Sequence, residues 1–428
     1  MILTYKKYLF ERTSMKTLAI IAEYNPFHNG HQYHIQQSKA VTNSDYTIAL
    51  MSGNFLQRGC PAILDKYSRG RLCAIGGVDL TIELPFPYAT GSAMDFSIGA
   101  VSLLDKLNTV DYLCFGAECN NITMFEKIAD VLLEEPDSYI QTLKDCLSQG
   151  MSFPAARQKA LSLYLKDFSL DEFVSSPNNI LGIEYVTALK RRNSKIKPIP
   201  IQRKNAGYHD TTIYSSISSA TALRQAFHNE DNPIDAISND IPAECLSTLK
   251  EAFNYCFPIY DNDLTPFLQS ALMTNESFDH IWDINSDLSN KLKALAPSVS
   301  YTDSIEILKS RDITSTRIAR SIIHLIMNYT SHLHDIFTKN DYAFYGNILS
   351  LRKDSSSLVK DINSLSSIPL INKKADFSST IASYDIDKDI ANTMWALDTK
   401  ATNLYNCLIF NRYNIKAEND YTIRLPII

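Results

Sequence analysis

The first two hundred residues alternate short apolar runs with longer amphipathic segments. The runs TLAIIAEY, YTIALMS, DLTIEL and DYLCFG, at 17–24, 46–52, 79–84 and 111–116, have the continuous hydrophobicity of buried parallel strands. Segments of helical length separate them, at 30–39, 63–75, 92–107 and 124–133. This alternation predicts an α/β fold, in which helices cover both faces of an open parallel sheet. Ligands of such sheets lie beyond the carboxyl ends of the strands, where the strand order reverses.

The pattern changes further along the chain. A periodic helix is predicted at 180–191, followed by a strand at 197–202 whose two prolines favour a sheet edge. After residue 225 the segments are mainly helical, at 246–253, 264–273, 287–296, 314–327 and 341–351, with strand-like runs at 406–411 and 421–428. We therefore predict an α/β domain at 15–225 and a mainly α-helical domain at 226–428. We interpret residues 1–14 as a disordered extension or a mis-start upstream of Met15.

Composition narrows the class of protein. Apolar residues make up 45% of the 428 residues and charged residues 21%, which is ordinary for a folded soluble protein. The net charge of −6 does not point to nucleic-acid binding, but salt screening allows a local basic face to act independently. The eight cysteines form no Cys-x-x-Cys pair, which argues against zinc or a disulfide framework. No apolar run approaches the length of a membrane span, so we predict a cytoplasmic protein with no membrane partner.

The segment EYNPFHNGHQYH, residues 23–34, carries the chemistry. It follows a predicted buried strand and opens a helix, and Gly30 lets the backbone approach a ligand closely. His28 and His31 lie three positions apart, so both can face the helix N-terminus, where unpaired N–H groups suit phosphate. Imidazoles there can donate hydrogen bonds to charge developing on a triphosphate. A zinc site on three histidines is the alternative, but no H-E-x-x-H pattern supports it.

Weaker candidates lie after the second and third strands. Arg58 and the pair Asp65-Lys66 follow the second strand, where they can face an acceptor. Glu83 and Asp95 are candidate metal ligands, although such acids more often cap helices or pair with cations.

Two short motifs resemble those of a known superfamily. His28-Asn29-Gly30-His31 resembles the H-x-G-H signature of nucleotidyltransferases, which activate substrates by attack on the α-phosphate of ATP. Residues 217–224, ISSATALR, are similar at a compatible spacing to the I-S-S-x-x-x-R signature, whose hydroxyls and arginine bind the β and γ phosphates.

Longer blocks are more specific. Together with 23–34, the blocks at 51–85, 114–118, 153–157, 176–185 and 206–210 resemble the family of bacterial tRNA(Met) cytidine acetate ligases across about residues 15–225. The resemblance implies an enzyme that uses ATP and acetate, not acetyl-CoA. Such an enzyme forms acetyl-adenylate, releases pyrophosphate and transfers acetyl to N4 of the wobble cytidine of elongator tRNA(Met). It also implies that 15–225 is the ATP-binding catalytic domain, and we expect 226–428 to contact the tRNA.

The resemblance also implies site residues. We expect His28 and His31 to be catalytic. The implied nucleotide-binding set is Ile21, Ala22, Glu23, Tyr24, Asn25, Pro26, Phe27, His28, Asn29, Gly30, His31, Gln32, Tyr33, His34, Gly116, Asn178 and Arg203. The choice between Asn178 and the adjacent Asn179 stays open. We expect Mg²⁺ to bridge the phosphates, and we predict no protein ligands for it.

A basic stretch suggests where RNA binds. From residue 186 to residue 224 there are eight lysines and arginines against one acid, so this stretch is a candidate tRNA surface. The alternative is an ordinary solvated helix. The predicted substrate-binding residues are Ser218, Ser219, Arg224, Lys190, Arg191, Arg192 and Lys204.

Two other functions remain open at this point. One is an adenylyltransferase that joins AMP to a phosphorylated small molecule, although such enzymes are usually shorter than this chain. The other is a non-catalytic RNA-binding protein on the same fold, which would have no need for paired imidazoles.

Overall fold

The computed structural model describes residues 15–167, 170–203, 219–310 and 313–428. A seven-stranded sheet runs through it in the order β5-β4-β1-β2-β3-β6-β7. The strands are β1 Thr17–Ala22, β2 Tyr46–Ser52, β3 Leu80–Leu84, β4 Tyr112–Ala117, β5 Lys197–Gln202, β6 Gly346–Leu351 and β7 Leu370–Ile371.

Five of these strands form one parallel unit. Strands β1 to β5 pair in parallel, with Ile20 opposite Ala49 of β2 on one side and Cys114 of β4 on the other. The chain adds β2 and β3 on one side of β1 and then returns to place β4 on its other side. The strand order therefore reverses between β1 and β4, which is where such a sheet binds its ligands.

Helices cover the sheet and form most of the chain beyond β5. In the described residues they are α1 Asn29–Thr42, α2 Lys66–Ile75, α3 Phe86–Ala89, α4 Ala93–Lys106, α5 Ile122–Glu134, α6 Asp137–Ser148, α7 Phe153–Leu165, α8 Leu170–Ser175, α9 Pro177–Arg191, α10 Ala220–Asn229, α11 Pro233–Ala236, α12 Ala243–Ala252, α13 Thr265–Thr274, α14 Ser286–Lys293, α15 Tyr301–Leu308, α16 Ser315–Met327, α17 Ser331–Lys339, α18 Ser356–Leu365, α19 Phe377–Ala382 and α20 Lys388–Tyr413.

The predicted α/β fold is confirmed, and the five strands predicted before residue 203 are found to within two residues at each end. The strand with two prolines, β5, is an outer strand of the sheet. A missing N–H is tolerated there because one edge of the strand has no neighbour.

Three predictions near the C-terminus are wrong. The segment 341–351, predicted as a helix, contains β6, which pairs antiparallel with β3. The segment 406–411, predicted as a strand, lies inside α20, where Tyr405, Leu408 and Ile409 are buried at helical spacing. The segment 421–428 contributes only an isolated bridge between Leu351 and Ile427. Short apolar runs do not distinguish a buried strand from a buried helix face.

Strands β6 and β7 bring residues from beyond position 226 into the central sheet. Both sides of that position also share a hydrophobic core, in which Ile48 and Ile348 are fully buried. The division into domains at 15–225 and 226–428 stays a prediction.

A buried ionic network fastens the C-terminal segment to the sheet. Lys66 Nζ lies 2.9 Å from Glu83 Oε2 and 3.1 Å from Asp420 Oδ1, and all three side chains are at most 5% exposed. Tyr67 donates to the same Asp420 oxygen at 2.7 Å, and Asn347 donates to Glu83 at 2.6 Å. The sequence suggested that Lys66 faces an acceptor and that Glu83 binds a metal ion. In the structure the two side chains form a buried ion pair with each other instead.

Replacing Lys66 with methionine should destabilise the protein strongly. The change leaves Glu83 and Asp420 buried without their cation, which costs about 3–5 kcal/mol. Urea denaturation followed by circular dichroism measures the loss.

The matched control is Lys339→Ala, which removes an exposed pair with Asp335 on α17. It should change the free energy of unfolding by no more than about 0.5 kcal/mol. Equal unfolding midpoints for wild type and Lys66→Met would contradict the stabilising role of the network.

Candidate active site

A cavity of about 290 Å³ lies at the reversal point of the strand order. Its floor is formed by the carboxyl ends of β1, β4 and β5, and its walls by α1, α9, α10 and the loop after β2. The predicted site residues on its wall are Ile21, Ala22, Glu23, Tyr24, Asn25, His28, Gly30, His31, Tyr33, His34, Gly116, Asn178, Arg203, Ser219 and Arg224. The structure thus gathers most of the predicted set around one space.

Arg69 of α2 holds together two segments that border the cavity. Its side chain is completely buried and donates to the carbonyl oxygens of Glu23 at 2.6 Å and Ser52 at 3.1 Å. It also donates to Leu64 and Gly53. The carbonyls of Glu23, Ser52 and Gly53 end or follow β1 and β2, and that of Leu64 precedes α2, so one guanidinium connects the ends of both strands with the loop before α2.

His28 caps α1. Its Nδ1 accepts a hydrogen bond of 3.0 Å from the backbone N–H of Gly30. His31 bonds in the reverse direction, with its Nδ1 3.3 Å from the backbone nitrogen of His28. The two side chains therefore form a reciprocal capping arrangement at the N-terminus of the helix.

This arrangement settles where the imidazole protons lie. A ring nitrogen that accepts from a backbone N–H carries no proton, so neutral His28 and His31 carry theirs on Nε2. The two rings lie 3.7 Å apart between centroids. Both residues therefore offer an Nε2–H donor at a cavity that already has the positive end of a helix dipole.

The rings are held neutral by their surroundings. Burial lowers the pKa of His28 to about 3, assisted by the positive charges of Arg203 and Arg224. Burial and the neighbouring His28 ring lower the pKa of His31 well below its ordinary value. The site can thus donate hydrogen bonds to an anion without carrying charge on its imidazoles.

His34 extends the same helix face by one turn. Burial and the charge of Arg203 lower its pKa to about 4. Its Nε2 is buried and has no hydrogen-bond partner among the described residues. Other atoms of His34 line the cavity.

The outer end of the cavity is polar. Arg203, just after β5, donates to Asn178 Oδ1 at 3.2 Å, and Asn178 donates to Glu118 at 2.7 Å. The adjacent Asn179 is 2% exposed, accepting from the Glu118 N–H and donating to the Phe173 carbonyl. The structure therefore places Asn178, not Asn179, at the cavity.

Gly116 leaves space at the end of β4. Among the residues that the structure describes, a Cβ added there would meet only the side chain of Arg203, at 3.5 Å, which is an ordinary contact. Packing within the protein therefore does not require glycine at this position. A ligand that approaches the strand closely would require it.

A second helix N-terminus reaches the cavity. Ser219 caps α10, its hydroxyl accepting from the N–H of Ala222 at 3.1 Å. Arg224, one turn further along, donates to the Asn25 carbonyl at 2.9 Å and to Thr221 at 3.2 Å. Two helix dipoles and two arginines thus converge on one space, which suits a multiply charged anion.

Four predicted nucleotide-binding residues do not line the cavity: Pro26, Phe27, Asn29 and Gln32. Phe27 is fully buried and packs edge-on against Tyr24. Asn29 donates to the carbonyl of Asn239 at 2.8 Å. The motif covers the whole segment, but only some of its residues line the cavity.

The predicted basic residues on α9 lie at the other end of that helix, about 20 Å from Asn178 at 1.5 Å per residue. Lys190 pairs with Asp130, and Arg192 pairs with Asp105 and Asp341. Arg191 is exposed. Ser218 and Lys204 lie outside the described residues.

Sequence reasoning missed several wall residues. Gln57 belongs to the loop after β2, and Gln202 ends β5. Phe96, Leu181 and Tyr185 form an apolar part of the wall from α4 and α9. Gln57 and Gln202 could have been found from the sequence, because Gln57 lies in the loop after a predicted strand and Gln202 at the end of one. No sequence pattern distinguishes Phe96, Leu181 and Tyr185 from other buried apolar residues.

The described residues contain no group of three or more histidine, cysteine, aspartate or glutamate side chains placed to hold a metal ion. None of their helices is long and apolar enough to cross a membrane.

Fold and site together define a nucleotidyltransferase. Residues 15–420 match the HIGH Nucleotidyl Transferase family. The crystal structure of apo Thermotoga maritima TmcAL matches with a TM-score of 0.91 at 30% identity, covering 97% of this chain and 100% of that one. A second structure, TmcAL bound with alpha-thio ATP, has a TM-score of 0.88 at 28% identity, covering 96% and 99%.

Relatives found by sequence narrow the family further. The tRNA(Met) cytidine acetate ligase of Acetivibrio thermocellus is 37% identical over 421 residues, which cover 97% of this chain and 100% of the relative. That of Halothermothrix orenii is 39% identical over 369 residues, covering 83% and 87%. Within the HIGH nucleotidyltransferases, this chain belongs to the tRNA(Met) cytidine acetate ligase family, as its motifs predicted.

The neutral state of the histidines is testable by NMR. In the folded protein without ATP, the Cε1–H signals of His28 and His34 should stay at their neutral positions from about pH 8 to about pH 5. The reason is that their pKa values are lowered to about 3 and about 4, whereas an unperturbed imidazole titrates near pH 6.5. The variants His28→Gln and His34→Gln assign the signals. In concentrated urea the same protons should titrate normally.

The same pKa shifts have a stability consequence. Between about pH 6.5 and the lowered folded values, the unfolded chain binds protons that the folded chain does not, so stability falls as the pH is lowered. Signals that titrate near pH 6.5 in the folded protein would contradict the lowered pKa values.

Proposed function

We propose that this protein is an ATP-dependent acetate ligase that modifies elongator tRNA(Met) in the cytoplasm. It forms acetyl-adenylate from acetate and ATP and transfers the acetyl group to N4 of the wobble cytidine. The products are N4-acetylcytidine, AMP and pyrophosphate. The observation that carries the proposal is the pair of neutral imidazoles, His28 and His31, with their Nδ1 atoms held by backbone N–H groups beside the cavity.

The first step follows from this geometry. A carboxylate oxygen of acetate attacks the α-phosphorus, and the bond from that phosphorus to the bridging oxygen breaks, releasing pyrophosphate. Charge grows on the phosphate oxygens during this exchange. The Nε2–H groups of His28 and His31 and the two helix N-termini donate to that charge without reorganising. Since acetate is itself the nucleophile, the protein need not supply one.

The second step uses the product of the first. The N4 amine of cytidine attacks the acetyl carbonyl, the bond to AMP breaks, and the amine loses one proton. A cavity bounded by strand ends and helices keeps water from competing for the adenylate. The exposed Arg191, together with Lys195 and Lys197, offers a basic edge at the far end of α9 for the tRNA backbone.

Mg²⁺ belongs to the proposal as a partner of the phosphates. Glu23 is the one acidic side chain on the described cavity wall, and its Oε1 accepts from the Gln57 N–H at 2.9 Å. Mg²⁺ is commonly held by substrate phosphates with one or two carboxylates, so Glu23 fits as its protein ligand. When bound, the ion supplies neutralisation of phosphate charge.

The reaction is tested by nucleoside mass spectrometry of tRNA(Met) incubated with protein, ATP, Mg²⁺ and acetate, without acetyl-CoA. Wild type should form N4-acetylcytidine. His31→Ala should reduce the rate by roughly 10²- to 10³-fold, the usual effect of removing one donor to a developing oxyanion.

The control is His332→Ala, which removes an exposed histidine on α17. It should retain the wild-type rate. Absence of acetylcytidine with folded wild type, or an undiminished rate in His31→Ala, would contradict the proposal.

Gly116→Ala separates binding from folding. The added methyl group makes only an ordinary contact with Arg203, so stability should stay equal or rise slightly. ATP affinity, measured by calorimetry, should fall by about tenfold or more, since 1.4 kcal/mol of steric clash suffices for that.

Gly182→Ala is the matched comparison, in which the added methyl group does not fit the packing of the protein. Its Cβ would lie 2.6 Å from the Phe115 ring and 2.7 Å from the Phe125 ring, so it should destabilise the fold instead. If Gly116→Ala binds ATP as wild type does, the nucleotide does not approach β4 closely.

A further inference from the structure

The loop after β2 presents two side chains to the cavity. Its backbone doubles back tightly, with Leu56 N donating to Cys60 O at 3.0 Å and Ala62 N donating to Asn54 O at 2.9 Å. Gln57 and Arg58 occupy the tip, and both line the cavity wall. Arg58 therefore reaches the site from the β2 side.

The tip is held from two directions. On the sheet side, Glu23 Oε1 accepts the Gln57 N–H at 2.9 Å. On the other side, Gly59 packs against α16 so closely that a Cβ on it would lie 2.3 Å from the backbone nitrogen of Arg320. Tyr301 also donates to the Gly59 carbonyl. The backbone of Arg58 is thus positioned before any ligand binds.

The cavity has two ends of different character. Gly116, Asn178 and Arg203 come from β4, α9 and the end of β5, and so lie on one side of β1. Arg58 comes from the opposite side, beyond β2. The N-termini of α1 and α10, which suit phosphates, border the same cavity. A nucleotide laid across β1, with its nucleoside beside Gly116, would turn its reacting phosphate towards Arg58.

The charges at this end favour an anion. The positive charge of Arg58 is near enough to add to the lowering of the pKa of Arg224, whose main cause is burial. Glu23 and Asp261 offset part of this positive charge, and an anion between the two guanidinium groups relieves the remaining repulsion. A guanidinium is also the cation that matches the two oxygens of a carboxylate.

The wall of the cavity is also partly apolar. Phe96 of α4 and Leu181 and Tyr185 of α9 line it. The Tyr185 ring lies 5.9 Å from the ring of Phe115 in β4. A small acid needs these two environments together, a cation for its carboxylate and apolar side chains for its methyl group.

We propose that Arg58 binds the carboxylate of the acid substrate and orients it for attack on the α-phosphorus. The ligand class is a short, unbranched monocarboxylate. This inference rests on the proposed acetate ligase activity. It assigns Arg58 to the acid and leaves Arg203 and Arg224 to the nucleotide.

Acetate-dependent exchange of labelled pyrophosphate into ATP tests the proposal. Arg58→Gln should raise the KM for acetate roughly 10- to 100-fold, the effect of losing a charge-assisted hydrogen bond. The dissociation constant for ATP should change far less. Arg58→Lys, which keeps the charge but not the fork, should give an intermediate KM. Arg71→Gln, at an exposed position of α2, is the matched control and should match wild type.

A second arm bypasses the acid. Synthetic acetyl-adenylate supplied with tRNA(Met) should be used by Arg58→Gln at nearly the wild-type rate, because the carboxylate has already been activated. An unchanged acetate KM, or an ATP dissociation constant that rises in parallel with it, would overturn the role of Arg58. Wild type that binds ATP but shows no acetate-dependent exchange would instead overturn the proposed function itself, and the acid subsite with it.

Discussion

The site depends on one buried guanidinium. Arg69 donates to carbonyl groups of Glu23, Ser52, Gly53 and Leu64, so it joins the carboxyl ends of β1 and β2 from inside the protein. Buried carbonyl groups need such partners, because leaving them unpaired is costly. Because the H-x-G-H segment follows β1 and the Arg58 loop follows β2, this side chain helps to set their relative position.

The electrostatics of the cavity follow from burial. His28 and His31 are neutral because the enclosed site and nearby arginines disfavour a charged ring, and backbone N–H groups hold each proton on Nε2. Fixed charge is supplied instead by Arg203, Arg224 and Arg58. In the proposed mechanism these are two separate tasks, since the arginines attract the anions and the neutral imidazoles donate to charge that appears during the reaction.

The segments beyond residue 226 support the site without lining it. Helix α16 and Tyr301 press on the loop that carries Arg58, and Asp420 neutralises Lys66 next to the end of β3. A substitution in α16 or at Tyr301 would therefore shift the loop after β2 and, with it, the cavity wall. This gives the long helical part of the chain a structural role in the chemistry as well as a proposed role towards the tRNA.

The parallel α/β fold, the edge position of β5 and the helix N-terminus carrying His28 and His31 could be predicted from the sequence, because apolar runs, proline and motif spacing are local. It predicted most of the cavity wall through the same motifs. The folded structure was needed to show that 346–351 is a strand and that Asn178, not Asn179, faces the cavity. It alone placed Arg69 across two strand ends and Arg58 opposite Arg203. Those outcomes depend on contacts between residues far apart in the chain, such as β6 with β3, and local patterns carry no information about them.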